Sequence, residues 1–568
     1  MSTICMPKSI LDKLDRACKS FLWESSVEHK KQHLVAWNKV TRPKSEGGLG
    51  IRAAQDMNKA LVAKLGWRLF HDHDSLWVKL VKKNNKVGNI HDGSWLIKKG
   101  TWSSTWRSIA SGLRDVVIPS KIWVLGNGRQ VKFWTDRWLF NRILSEEAGG
   151  LLPQGYESMV VNDLWRDGNG WRMDMITPYV SDNARLELTS VVVDKVTGAR
   201  DRLSWSESVD GNFSVKSAYN LLTRNSDPRP NLEKFYSRVW RVTAPERVRV
   251  FLWLVGNQVL MTNAERSRRH LSSTDVCPVC KGGVETILHI LRDCPAMMGI
   301  WTRILPPRKR RTFFDKSLLE WVFDNLSDEN EYCESTWATM FAMAVWWSWK
   351  WRCDNVFGNN IKCRDRTQFI KELARDVTLS HRLHNGSSTS GSRGDVLVGW
   401  VMPTDGWIKL KTDGASHGNP GLATAGGVLR DGYGDWCGGF SLNIGRCTAP
   451  LAELWGVYYG LYIAWEKKIT RLELEVDSQL VVGFLKTGVS EMHPLSFLVR
   501  LCHGFLSRDW IVRISHLCRE ANRLADGLAN YAFSLPIGFH FFDAVPNDVD
   551  SLFRDDVIGS TRPRRIRL

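Results

Sequence analysis

Long apolar runs are what this chain has least of. The most apolar uncharged stretch reaches only from Ser335 to Trp349, short of the ~20 residues that span a bilayer. A buried helix is expected there, and no membrane partner. The opening Met-Ser-Thr-Ile-Cys-Met-Pro-Lys lacks the charged-then-apolar form of a secretion signal. Dense cysteine is missing too. Three of the 12 cysteines cluster and the rest scatter, which argues against a disulfide scaffold and for a reducing compartment. Acidic residues are in deficit: 60 Asp and Glu face 78 Lys and Arg, for a formal charge of +18. The excess favours a polyanionic partner, most simply nucleic acid, over the plainer reading of a generally basic soluble protein. A nuclear or cytoplasmic address is expected, not secretion. The run Arg308-Lys-Arg-Arg311 leans toward the nucleus, with a phosphate contact or a solvated linker as alternatives.

What is present points to several domains. A chain of 568 residues accommodates about three or four domains of ~100–200 residues. Ile10, Leu14, Cys18, Phe21 and Leu22 form a helical stripe, and Ala60, Leu61, Leu65 and Leu69 a second. From about 90 to 215 the chain is rich in Trp and broken by glycine turns. Three hairpins are predicted, at Trp123–Trp134, Leu164–Trp171 and Leu203–Phe213. Their Trp and Arg side chains suit base stacking, although core packing is the expected role for most of the Trp residues. Helices should begin near Ser214 and Ala244. Arg224–Pro230 and His384–Gly394 read as linkers, and the tail from about 536 as irregular and disordered.

One motif is compact. Cys277-Pro-Val-Cys280 is followed after eight residues by His289, and after four more by Cys294. Such a set supplies four tetrahedral ligands to one structural Zn²⁺, with Gly282-Gly283 easing the turn. His289 or a nearby acid completes the set. The alternative is buried thiols beside an incidental histidine.

Four acids are dispersed but sit on definite elements. Asp413 ends the alternating run Trp407-Ile-Lys-Leu-Lys-Thr-Asp413, a half-buried strand with Leu410 and Thr412 on one face and Lys409, Lys411 and Asp413 on the other. Asp477 closes a second such strand, Arg471-Leu-Glu-Leu-Glu-Val-Asp477. Glu453 lies in the first turn of a helix from Pro450, and Asp526 in a short helix after the strand Ile511–His516. Gly456, Gly460 and Ala464 leave one face of the Glu453 helix nearly bare, so that it can approach a sheet closely.

These residues resemble a known family. Thr-Asp413-Gly, the loop Gly418-Asn-Pro-Gly421, Ala-Glu453-Leu, Val-Asp477-Ser and His516-Leu-Cys-Arg-Glu-Ala-Asn-Arg-Leu-Ala-Asp526 match the ribonuclease H fold, most closely its plant branch. The cysteine motif is similar to the zinc-binding domain that plant retroelements place before their ribonuclease H. Phe-Leu-Trp23, Leu-Val-Ala-Trp37 and Pro43-Lys…Gly-Gly-Leu-Gly-Ile51 resemble the region after the polymerase core of plant LINE-type non-LTR retrotransposons. The aromatic-Ala-Asp-Asp motif of that core is absent, since the sole Asp-Asp, at 555–556, follows Phe-Arg.

The resemblance implies a multidomain chain. A C-terminal α/β ribonuclease H-like fold, with a mixed five-stranded sheet and helices, would occupy 405–535. Before it would come a post-polymerase remnant of helices and hairpins (1–205), a small, mostly helical reverse-transcriptase zinc-binding module (206–305), and a helical segment with flexible linker (306–400); a tail (536–568) would follow. Asp413, Glu453, Asp477 and Asp526 would hold two Mg²⁺ (or Mn²⁺), and His516 would assist proton transfer or product departure. The implied activity is hydrolysis of the RNA strand of an RNA–DNA hybrid; the rival is a catalytically silent, nucleic-acid-binding relic.

Overall fold

The computed structural model describes residues 3–23, 31–72, 74–85, 87, 96, 102–148, 150–166, 170–224, 230–332, 334–358, 365–385 and 393–567. Apart from the first four residues, the chain divides into two compact units. One gathers residues 5–59 and 222–390, the other 60–221 and 391–568. The first 205 residues, which sequence alone groups together, are thus shared between the two. Both expected linkers, Arg224–Pro230 and His384–Gly394, lie largely outside the described residues.

The first unit is mainly helical. The apolar run at 335–349 falls in a long helix, Trp337–Phe357, that is buried on most of its surface. Among the described residues no helix is long and apolar enough to cross a membrane. Trp301, Trp321 and Phe341 meet around this helix, with ring centroids 4.8–6.0 Å apart. Each such ring withdraws about 150–250 Å² from water, roughly 4–6 kcal/mol gross at ~25 cal/mol per Å². The stripe expected on the first helix (Lys8–Leu22) is not its packed face: Ile10, Leu14 and Phe21 are exposed and Leu11 is buried. In the loop Pro43–Ile51, Gly47 adopts φ +86°, and an added Cβ would lie 2.6 Å from the Tyr236 ring. The Trp253 indole donates to its carbonyl at 2.8 Å. Glycine is required there.

The second unit is built on a six-stranded sheet in the order 511–516, 471–476, 408–418, 421–430, 436–447, 538–542. The first three strands are mutually parallel and the rest antiparallel. Five strands match the expected mixed sheet. The sixth, Gly538–Phe542, comes from the stretch expected to be disordered, and the correction extends further. Asn547–Val557 is a helix, and Thr561–Arg567 pairs antiparallel with Arg393–Gly399. Apolar anchors explain the order, because Val549 is buried beside Val428, Leu524 and Leu528.

Two of the three predicted hairpins are also corrected. Strand Lys121–Val124 pairs not with 131–134 but with Arg202–Trp205. The Asp201 carboxylate accepts the backbone N–H groups of Gly126, Gly128 and Gln130, each at 2.8 Å, so the Gly-Asn-Gly loop wraps an acid instead of closing a hairpin. Residues of the first and third predicted hairpins therefore pair with each other. The second hairpin forms, Trp165–Arg166 against Gly170–Trp171. Trp106, Trp123, Trp134, Trp138 and Trp205 are buried, which gives these rings to the core and not to bases.

Within this unit the segment 405–535 packs against residues that precede it in the chain. The Trp455 indole donates to the Ser190 carbonyl at 3.0 Å, and the Thr189 hydroxyl to that of Ile444 at 2.6 Å. Arg500 faces the buried Asp194 at 3.4 Å. Residues 181–205 are part of the same packing.

Candidate active site and zinc centre

Strand register assembles the acids. Val476 pairs with Thr412, so the next residues along, Asp477 and Asp413, stand side by side. Val476 also pairs with His516, which sets the imidazole next to Asp477; its Nε2 lies 3.1 Å from the Asp477 carbonyl oxygen. Glu453 arrives on the helix Ala449–Glu466. The bare face foreseen for that helix is what admits it. A Cβ on Gly414 would lie 2.3 Å from the Glu453 nitrogen, and one on Gly460 would lie 2.7 Å from Leu410. On the opposite face of the sheet, a Cβ on Gly426 would meet the Ala529 nitrogen at 2.3 Å. That second vacancy lets the Asp526 helix (Arg523–Tyr531) settle over the strand paired with Asp413.

Asp413, Glu453 and Asp477 each offer an oxygen within 4.8 Å of the others. Asp526 falls outside that trio but acts on Asp413 through its charge and a side-chain hydrogen bond. Burial first, then the neighbouring acids, pushes Asp413 up to about 8 and Glu453 up to about 9. Burial likewise raises Asp477, opposed by Arg519. Glu453 Oε2 and Asp477 Oδ1 are buried without a hydrogen-bond partner. A divalent cation fits this donor set. Its oxygens are hard, anionic and convergent, and two otherwise stranded oxygens would gain a partner.

Sequence reading missed Arg519. Its Nη2 lies 3.9 Å from the Asp526 carboxylate, and its charge favours the ionised forms of Glu453 and Asp477. The available signal was a basic residue three positions after His516, in the stretch leading to Asp526. The Asp413 strand is also not half-buried. Lys409 and Lys411 are buried, Lys409 Nζ lying 2.9 Å from Glu475 and 3.4 Å from Glu473, and Lys411 Nζ 3.5 Å from Glu475. Ion pairing and the covering helices make both faces interior.

In the first unit, Cys277, Cys280, His289 and Cys294 offer ligand atoms within 4.8 Å of one another. The turn closes through Cys277 N–H to the Gly283 carbonyl at 2.8 Å. Tetrahedral Zn²⁺ with ~2.3 Å bonds to sulfur places thiolates about 3.8 Å apart, within that envelope. Burial raises the Cys277 thiol and pushes Cys294 up to about 12, while the backbone N–H of Gly282 draws Cys280 down. Three thiols and an imidazole converging on one point suit a zinc ion, which would displace the thiol protons on binding.

Comparison with known proteins agrees region by region. Residues 411–532 match the family described as reverse transcriptase-like, and residues 213–301 match that described as zinc-binding in reverse transcriptase. A ribonuclease HI of Halobacterium salinarum is 35% identical over 147 residues, covering 25% of this chain and 72% of its own. The crystal structure of RNase H1 from that archaeon covers 22% of this chain and 98% of its own, at 32% identity and a TM-score of 0.22. An Arabidopsis thaliana protein whose name assigns it provisionally to ribonuclease H is 60% identical over 571 residues, covering 100% of this chain and 92% of the relative. Identity of that order along the whole length shows the family: the chain belongs to the plant retroelement-derived, ribonuclease H-like proteins in which a reverse-transcriptase zinc-binding domain precedes the ribonuclease H-like fold.

Proposed function

We propose that this protein hydrolyses the RNA strand of RNA–DNA hybrids at Asp413, Glu453, Asp477 and Asp526. The observation that carries the reading is the convergence of three carboxylates, one buried and two half-buried, two of them with a buried oxygen that has no hydrogen-bond partner. Like charges so placed are costly, and a fold retains them where cations bind. Two Mg²⁺ or Mn²⁺, when bound, would supply an activated water and charge stabilisation at the leaving oxygen. The protein's own part is to orient and to exchange protons. Asp413 and Asp477 present their oxygens from adjacent strands, Glu453 reaches over from its helix, and Asp526 flanks Asp413. The His516 ring, whose Nε2 lies 3.1 Å from the Asp477 carbonyl oxygen, would pass a proton or help product leave. Contacts to 2′-hydroxyls would separate the RNA strand from DNA. The zinc centre is structural in this reading, since four protein ligands leave no position for water.

The test is direct. Purified full-length protein should cut the RNA of a labelled hybrid in Mg²⁺ or Mn²⁺, spare duplex DNA and single-stranded RNA, and stop in chelator. Folded protein that binds the hybrid with either ion and never cuts it would establish the silent relic instead.

A further inference from the structure

The Asp413 strand buries two lysines, and the glutamates beside it fully occupy only one of them. Lys409 has Glu473, Glu475 and the Val401 carbonyl within reach. Lys411 is 3% exposed, and charged side chains are seldom taken so far from water unless paired. It shares Glu475 only at the longer distance of 3.5 Å. Its short contact is elsewhere. The ammonium donates to the Ala521 carbonyl at 2.5 Å. Ala521 is midway in sequence between His516 and Asp526, at the centre of the segment that joins the histidine to the fourth acid.

A second thread runs beside the first. Asn522 is buried, and its Nδ2 donates to the Thr412 carbonyl at 3.0 Å. Its own carbonyl accepts the Asp526 backbone N–H, also at 3.0 Å. One residue thus links the strand position next to Asp413 with the backbone of Asp526. The arrangement costs stability, since the Asn522 Oδ1 is buried without a partner among the described residues. Two further ties hold the same segment, Arg564 to Glu520 and Arg523 to Asp555, and both are part-exposed. Surface pairs of that kind contribute little, whereas a charge-assisted hydrogen bond is about twice as strong as a neutral one. The buried lysine is the stronger hold.

We propose that Lys411 is a positioning residue of the nuclease site. It fixes the midpoint of the segment 516–526 to the Asp413 strand. With Asn522, it sets where His516 and Asp526 stand relative to Asp413, Glu453 and Asp477. This rests on the nuclease reading of the acid cluster. Lys411 touches no substrate in this role; it acts through the Ala521 carbonyl, and without it the segment drifts. A misplacement of about 1 Å can cost ~10²-fold in rate, so the effect falls on kcat.

Lys409 supplies the control, being similarly buried on the same strand but tied to glutamates and not to the 516–526 segment. Lys411→Met and Lys409→Met are compared in the full chain, by cleavage of a labelled RNA–DNA hybrid and by hydrogen exchange. In Lys411→Met, Glu475 keeps Lys409 at 2.9 Å, so no carboxylate is stranded. Its kcat should fall at least about tenfold with KM little changed. Amides of 517–526 should exchange at least about tenfold faster. Lys409→Met should show neither change. Equal changes in the two variants, or none in Lys411→Met, would overturn the proposal. If Lys411→Met does not fold, Lys411→Gln, whose amide stops an atom short of Ala521, should show both changes at about threefold or more; wild-type behaviour there overturns it too. Wild-type protein that binds the hybrid in Mg²⁺ without cutting it sinks the nuclease reading. Exchange then decides the anchor alone: faster in Lys411→Met sustains it, equal in both lysine variants ends it.

Discussion

The two candidate metal centres are encoded in opposite ways. The candidate zinc ligands lie within one short stretch, Cys277 to Cys294, and a single knuckle with its following turn brings them together. The acids run from Asp413 to Asp526 and meet only because three parallel strands share a register and two helices find glycine beneath them. A local site is stabilised largely by its ion and fails alone. A site assembled by a sheet is stabilised by the whole core, and its members can be altered without loss of fold. The ligand chemistry follows the same division: thiolates for a permanent ion, carboxylates for exchangeable ones.

The strongest challenge to this contrast is a paired substitution. Asp413→Asn should abolish hybrid cleavage, by at least about three orders of magnitude, and leave the unfolding temperature unchanged or higher, since burial and the neighbouring acids disfavour an ionised carboxylate at that position. Cys277→Ser with Cys280→Ser should keep cleavage within several-fold of wild type. Loss of cleavage in the cysteine variant would mean that the two centres are not independent. Next in size is His516→Ala, for which kcat should drop about a hundredfold with KM little changed, the scale of general acid–base assistance. An unaltered kcat would remove His516 from the chemistry.

Zinc removal should have a smaller effect on activity and a larger one on local order. Structural zinc contributes ~10–16 kcal/mol of apparent binding free energy in small modules, so chelation should expose the backbone around 263–304 to hydrogen exchange and leave the six-stranded sheet protected. Metal analysis of the intact protein should return one zinc, lost in the double cysteine variant.

The gentlest probe is pH. With Asp413 and Glu453 raised to about 8 and about 9, the metal-free folded state holds protons that the unfolded chain has released by about pH 4–5. Stability from these groups is complete below that range and declines as pH rises through 8 and 9. Calorimetry in chelator should show the unfolding temperature falling from pH 5 to 9, with Mg²⁺ reducing the fall. A flat profile in chelator would show that the acids ionise freely and do not crowd one another.

Legibility followed the same divide. The cysteine spacing could be read directly, because the chemistry is local. Asp413 and Asp477 stood out as strand ends, but nothing in alternation alone says that Val476 pairs with Thr412. It was resemblance that linked the four acids. Lys409 and Lys411 misled for a physical reason, since charge at alternate positions ordinarily marks a wet face, and only the structure shows Glu473 and Glu475 opposite them. The hairpins at 123–134 and 203–213 failed likewise. Each has the right local signal, but Asp201 captures the first turn and the strands find each other across the chain. The tail was misjudged because its charge concealed a few buried contacts, above all Val549.

The pairing of Arg393–Gly399 with Thr561–Arg567 brings the two ends of the last third of the chain together like a clasp. A segment that enters and leaves at one point can be spliced into a longer polypeptide with little strain on what flanks it. For the experimenter, the clasp also marks where to cut: a boundary drawn at 405 or at 535 would sever it, whereas one before 393 carried through to the last residue keeps it shut.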